Sequence, residues 1–316
     1  MARFVVRRLQ TTIPVIILVS IIAFALIYLL PGDPALMMLG EQSVTDRETY
    51  IHLRQELGLD DPLPVQYAAW AARAIQGDLG KSLRDGLPVA FKVRAHIFPT
   101  MELAALAMIL ALLIAIPAGV ISALKPGSLA DGIATILALS GVAVPHFFLG
   151  ILLIYMFALW LRILPPSGYI EPWANPGENI RLMLMPAFAL SSGLAAVLTR
   201  QIRSTLLEVV QQEYIVTARS KGLNERMVIL GHAFKNALIP VVTVVGLQVG
   251  TLIGGAVVVE TIFAIPGMGR LMVDSISTRD YPTVQAVVLM LALSVVVANF
   301  LTDVLYAYVD PRIRFE

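Results

Sequence analysis

Six runs of apolar residues, free or nearly free of charge, punctuate the chain: Leu9 to Leu30, Leu103 to Leu124, Gly132 to Leu161, Leu182 to Thr199, Asn236 to Val259 and Tyr281 to Val309. The hydrocarbon core of a bilayer, about 30 Å thick, takes about 20 helical residues to cross. A spanning segment must satisfy its backbone hydrogen bonds internally, so these runs predict helices. The pattern is that of an all-α integral membrane protein with six transmembrane helices. An even number puts both termini on one side. The first run follows Arg3, Arg7 and Arg8 in the manner of a signal peptide, but its 22 uncharged residues are long for that role. The LPGDPALMM that follows offers no small-x-small cleavage site, so the first helix is expected to be retained.

Between the fourth and fifth runs lies a 36-residue polar loop, Arg200 to Lys235. Within it Glu213 opens a short helical segment, Arg219 and Lys221 close it, and Gly222 follows, a pattern that complements the helix dipole and supplies a C-cap. So short a helix is marginal in water without tertiary support. A membrane protein displaying one is expected to present it to a partner. The other long polar segment, Pro31 to Phe98, holds PGDP, GLDDPLP and an amphipathic stretch, PVQYAAWAARAIQ, and predicts a structured region outside the bilayer.

Composition agrees with the pattern: 58% of residues are hydrophobic, 14% are charged and the mean hydropathy is +0.80. A formal charge of +1 gives no nucleic-acid footprint. The lack of cysteine excludes disulfides, thiolate metal sites and a cysteine nucleophile. With the N-terminus inside, the short inner segments carry 12 Lys and Arg, and the short outer loops carry four, Arg162, Arg181, Arg270 and Arg279. The positive-inside rule then places both termini and the 200–235 loop in the cytoplasm.

Candidate chemistry is sparse. There is no HExxH, no GxSxG and no cluster at metal-ligand spacing, and the four histidines, His52, His96, His146 and His232, are dispersed. GDLGKS at Gly77 to Ser82 imitates a phosphate loop, but Ile75 stands where its first glycine belongs. No catalytic residue, cofactor or metal site is therefore expected in this chain. An intramembrane hydrolase lacks its acid, base and nucleophile. Within the spans, Gly246, Gly250 and Gly254 recur every fourth residue beside Thr243, a small face suited to close helix packing, a subunit interface or a pathway wall. Pro145 and His146 sit mid-span in a run that would measure roughly 45 Å as one straight helix, so a kink or tilt is expected. His146 reads more readily as a hydrogen-bonded packing residue than as an ion ligand. Asn299 and Asp303 share a helix face and suit helix-to-helix hydrogen bonds better than a proton relay.

Taken in order, RRLQTTIPVIILVSIIAFALIYLLPGDPA, LGLDDPLPVQY, GDLGKS, TARSKGL with NALIPVV, ETIFAIPGMG, RDYP and DPRIR make the chain similar, along nearly its whole length, to the inner-membrane permease subunits of bacterial dipeptide/oligopeptide ABC importers. The general loop signature of ABC permeases is met in part: Ala218 and Gly222 fit, while Val216 and Thr217 replace the expected Glu and Ala. The resemblance implies a type I ABC importer permease fold. It divides the chain into 1–98, the first helix plus external segment, 99–309, a five-helix transport domain containing the 200–235 coupling loop, and 310–316, a cytoplasmic tail. It further implies a multi-pass protein of the bacterial inner membrane that pairs with a second homologous permease, two cytoplasmic ATPase subunits and an external substrate-binding protein. ATP and magnesium would be bound by the ATPases, so this chain is no enzyme. Glu213, Tyr214, Ile215, Thr217, Ala218, Arg219, Lys221 and Gly222 form the expected ATPase-docking helix. Tyr214, Ile215 and Ala218 supply its apolar stripe, and Val216 points elsewhere, toward the membrane. Relatives with these motifs carry dipeptides, oligopeptides, glutathione or nickel chelates. The alternative is an ion-gradient-driven secondary transporter or channel, which needs mid-membrane ligands that the spans hardly offer beyond His146.

Overall fold

The computed structural model describes residues 2–29, 47, 50, 51, 54 and 59–309. His52, parts of the Pro31 to Phe98 segment and the 310–316 tail lie outside the described residues. The labelled helices are α1 (Ala2–Leu29), α2 (Leu63–Ile75), α3 (Val89–Leu124), α4 (Leu129–Ala143), α5 (His146–Leu153), α6 (Pro176–Val210), α7 (Glu213–Ser220), α8 (Phe234–Ile262), α9 (Met268–Ser277) and α10 (Tyr281–Val309). A π-helical stretch, Ile154–Trp160, prolongs α5, and a short turn, Glu225–Met227, runs through a second π stretch, Val228–Ala233, into α8. Among the described residues five helical stretches are long and apolar enough to cross a membrane, and α4 with α5 makes a sixth if the pair counts as one span.

The third apolar run is broken, not merely kinked. Its halves meet at 107°. The cause is local: the residue before a proline is pushed out of the helical region, and Val144 is extended at φ −85° and ψ 119°, ending α4 at Ala143. Pro145 then begins a new helix as its N-cap.

Two compact units divide the chain. The larger comprises Met1–Arg8, Phe98–Arg270 and Val297–Glu316, and α6 is its axis. Asn175 caps α6 by accepting the Glu178 N–H at 3.1 Å, and Pro176 follows at the first turn, where a missing N–H costs nothing. The α6 span has a mean hydropathy of only 1.8, yet 72% of it is buried, against 2.7 and 22% for α3. A helix enclosed by protein needs less apolar surface than one facing lipid. Close approach is permitted by glycine: a Cβ on Gly119 of α3 would lie 2.7 Å from Ile202 of α6, and one on Gly141 of α4 would lie 2.8 Å from the Ser192 carbonyl oxygen.

The smaller unit comprises Leu9–Ile97 and Leu271–Val296. In it the expected amphipathic helix forms as α2, whose Tyr67 and Trp70 rings each lie 5.7 Å from the Phe24 ring of α1. GDLGKS forms a turn with Gly80 at φ +83°. Ser82 donates to the buried Asp280 carboxylate at 2.5 Å, and the Leu83 N–H reaches it at 3.0 Å. Thr283 closes the knot at 2.7 Å, so the motif secures the start of α10.

Candidate functional site

The short helix of the polar loop forms as α7, eight residues long. Glu213 occupies its first turn and Arg219 its last, as the dipole favours. Gly222 lies just past its end at φ +75°, and its N–H bonds the Arg219 carbonyl at 2.9 Å. Glycine alone adopts that conformation without cost.

The facing of α7 corrects the expected stripe. Ile215 and Ala218 are buried in their own chain, in a cluster with Ala123, Leu206, Val228, Ala233 and Ala237. Burying the Ile215 side chain is worth about 1.5–3 kcal/mol, which supplies the support so short a helix lacks by itself. The outward face carries Glu213, Val216, Thr217 and Ser220, with Tyr214 and Lys221 along one edge. Val216, expected to point away, is 53% exposed. The physical reason is the period: 3.6 residues per turn settles which residues share a side, but which side is covered is settled by partners on other elements, Ala123 of α3, Leu206 of α6 and Val228, Ala233 and Ala237 leading into α8. Two further bonds fix the helix. Asn236 Nδ2 donates to the Tyr214 hydroxyl at 2.9 Å. The Arg219 guanidinium grips Glu225 at 2.7 and 3.3 Å, so its charge is engaged within the loop.

Other residues singled out by sequence do not gather at one place. Thr243, Gly246, Gly250 and Gly254 span more than one face of α8, because each four-residue step advances the helix about 40° beyond a full turn. Gly246 is buried, and a Cβ on it would collide with Thr302 of α10. Gly250 is half-buried, Thr243 is exposed, and a Cβ added to Gly254 would meet nothing within 4 Å. His146 begins α5 and donates through Nδ1 to the Ala189 carbonyl at 3.0 Å. Its ring lies between two glycines: a Cβ would come within 3.2 Å from Gly193 and 3.7 Å from Gly255. His146 is thus half-buried and packed within the larger unit. Asp303 of α10 accepts from Arg8 of α1 at 2.6 and 2.5 Å, a helix-to-helix hydrogen bond of the kind expected and charged as well.

Three polar anchors were not foreseen. Asp131, at the start of α4, binds Arg203 of α6 through both carboxylate oxygens at 2.8 and 3.0 Å. Glu260, at the end of α8, is fully buried and accepts from Thr100 at 2.6 Å and from the Arg270 N–H at 3.1 Å. Tyr169 donates to Glu102 at 2.7 Å, and burial, then that carboxylate, pushes the phenol well above its ordinary range. The one sequence signal for the second was the glycine pair in ETIFAIPGMG, where Gly267 and Gly269 leave room for the carboxyl. Among the described residues no group of three or more His, Asp or Glu is arranged to hold a metal ion.

Comparison with known proteins covers both ends of the chain. The family described as Binding-protein-dependent transport system inner membrane component matches residues 115–315, and its N-terminal counterpart, Binding-prot-dependent transport system membrane comp, N-term, matches residues 1–102. The Dipeptide transport system permease protein DppB of Escherichia coli (strain K12) is 40% identical, with 100% of each chain covered. The Glutathione transport system permease protein GsiC of the same strain is 39% identical, again over 100% of each. Among solved structures, the inward-facing MetNI methionine ABC transporter aligns with a TM-score of 0.58 at 16% identity, over 70% of this chain and 97% of that one. At that identity the likeness speaks for the fold alone, a type I importer permease fold.

Proposed function

This chain belongs to the family of binding-protein-dependent transport system inner membrane components, a multi-pass inner-membrane permease of an ABC importer, and on that premise we propose that it moves peptides or similarly small, peptide-like solutes. The cargo class is supported by the names of two full-length relatives, one for dipeptides and one for glutathione, itself a small peptide. It forms half of the pathway, beside a second homologous permease, and receives cargo from an external binding protein. ATP and magnesium are bound by two cytoplasmic ATPase subunits. Residues 99–309 act as the transport domain, and both termini lie in the cytoplasm.

The observation that carries the coupling role is α7. It is a capped helix, seated by Ile215 and Ala218, that holds Glu213, Val216 and Thr217 outward with Tyr214 and Lys221 at its edge. An exposed helix face of this kind fits a groove of a partner. The docking contacts are thus Glu213, Tyr214, Val216, Thr217 and Lys221, while Ile215, Ala218, Arg219 and Gly222 hold the helix in shape. Closure of the ATPases drives α7 as a lever on α6 and α8. The test is co-purification: replacing Val216 by Arg is expected to release the ATPase subunits while the permease pair stays together. Undiminished ATPase retention by Val216→Arg and Thr217→Arg together would overturn the assignment.

A further inference from the structure

We propose that the ion pair between Asp131 and Arg203 is a positioning link through which displacement of α7 reaches the broken span α4–α5; this rests on the docking role of α7. The Asp131 carboxylate is buried and collects several donors. Arg203 donates twice, at 2.8 and 3.0 Å, the Gly127 N–H donates at 2.9 Å, and the Ser122 hydroxyl adds a short bond. The backbone N–H of Asp131 in turn donates to Ser128, the N-cap of α4, at 3.3 Å. The turn between α3 and α4 is therefore complete without Arg203, which adds the connection to α6.

The place of Arg203 on α6 gives that connection its meaning. Thr205, in the same helical turn, shares its single hydroxyl proton between the Gln201 carbonyl of its own helix at 2.9 Å and the Ala237 carbonyl of α8 at 3.2 Å. Leu206 belongs to the cluster that seats Ile215 of α7. One turn of α6 is thus joined to α4 by Arg203, to α8 by Thr205 and to α7 by Leu206. The α4 helix lies along α6, and the pair with Arg203 is its charged hold there. Only Asp131 and Ala138 in it are buried, and Ile133, Ile136, Leu137, Leu139 and Val142 are exposed. It is fixed to α6 at its first turn by charge and near its last by the close approach of Gly141. Pull on α6 at Arg203 acts on α4 at the end far from the 107° break. A paired, partly buried charge is a weak source of stability, whereas removing one partner leaves the other uncompensated. The planar guanidinium fork fixes orientation as well as distance, which a lysine ammonium does not.

The natural absence of cysteine permits site-specific spin labels. Labels would be placed on the exposed positions Ile136→Cys in α4 and Leu247→Cys in α8, in the assembled complex with its ATPases in nanodiscs. The distance between them is measured before and after trapping with ATP and vanadate. The parent is expected to change distance. With Arg203→Met that change should shrink by about threefold or more while the ATPases remain bound, within the range by which residues on a coupling route alter it. Arg203→Lys should fall between the two. If Arg203→Met does not assemble, Asp131→Asn, which keeps the shape of the turn, is read in the same way. A full parental change in an assembled Arg203→Met or Asp131→Asn complex would overturn the link and leave docking intact, as would a parent that docks its ATPases yet shows no change. Failure of the parent to retain ATPases would instead overturn the docking role and the link with it.

Discussion

The carboxyl group of Glu260 occupies the space that a side chain on Gly267 would need. The same carboxyl holds Thr100 at 2.6 Å, and Thr100 accepts the Met268 N–H at 2.7 Å, so one residue at the end of α8 organises the turn into α9 and binds α3 to it. Gly267→Ala forces this knot apart and is expected to cost about 1–3 kcal/mol, the usual range for overpacking. The check is the melting temperature of the purified protein in detergent. Gly254→Ala, where a Cβ meets nothing within 4 Å, should leave it unchanged. Equal melting of the two variants would contradict the packing described.

Neighbouring residues of α7 should separate into two kinds. Ile215→Ala empties a fully buried position and is expected to destabilise the loop by about 2–5 kcal/mol. Val216→Ala, more than half exposed, should change melting by less than about 0.5 kcal/mol while weakening ATPase retention. Limited proteolysis of the 200–235 loop and co-purification read the two effects independently. Loss of loop protection in Val216→Ala would contradict the facing of the helix.

Gly222→Val tests the cap. A β-branched side chain in the left-handed region costs about 1–2 kcal/mol, and no neighbour crowds the position, so the whole effect comes from the backbone. Cargo transported per ATP hydrolysed should fall. Gly222→Asn, which tolerates the conformation, should retain most coupling. Parental coupling in Gly222→Val would show the cap to be dispensable.

Acid should weaken the smaller unit. Asp85 accepts from the Lys92 ammonium at 2.7 Å, which holds its carboxyl below the ordinary carboxylate range. A carboxyl depressed by folding stabilises above its unfolded pKa and loses that contribution as pH falls through the folded value. Melting temperature should therefore be flat near neutrality and decline below about pH 4. Asp85→Asn should start lower at neutral pH and decline less. Parallel acid profiles for parent and variant would contradict the pairing.

Much of this architecture is legible in the sequence, because membrane spans are announced by the absence of charge. Five of the six runs, the helix α2 and the capped α7 form where local pattern predicts them, and the third run divides at Pro145. What is not legible depends on distance along the chain. Ser82 and Asp280 are 198 residues apart, and each taken singly is an ordinary polar residue. Asp131 stands at the edge of an apolar run, where a carboxylate reads as a boundary, until Arg203 arrives from another helix 72 residues on. The helical period shows that Ile215 and Ala218 share a side. Only the buried cluster shows that this side turns inward and leaves Val216 exposed. Pro145 signals a bend, but the size of the angle and the packing of His146 between Gly193 and Gly255 are set by tertiary contacts that local pattern does not show.

The central claim is that α7 is the element an ATPase grips. Cysteine introduced singly at Val216, in a chain that has none of its own, is to be cross-linked to the purified ATPase subunits with a short thiol-to-amine reagent in the assembled complex. Efficient cross-linking from Val216→Cys is predicted, with little from Ile215→Cys, whose position is buried. Equal cross-linking from both positions, or none from Val216→Cys in a complex that still hydrolyses ATP and transports, would contradict it.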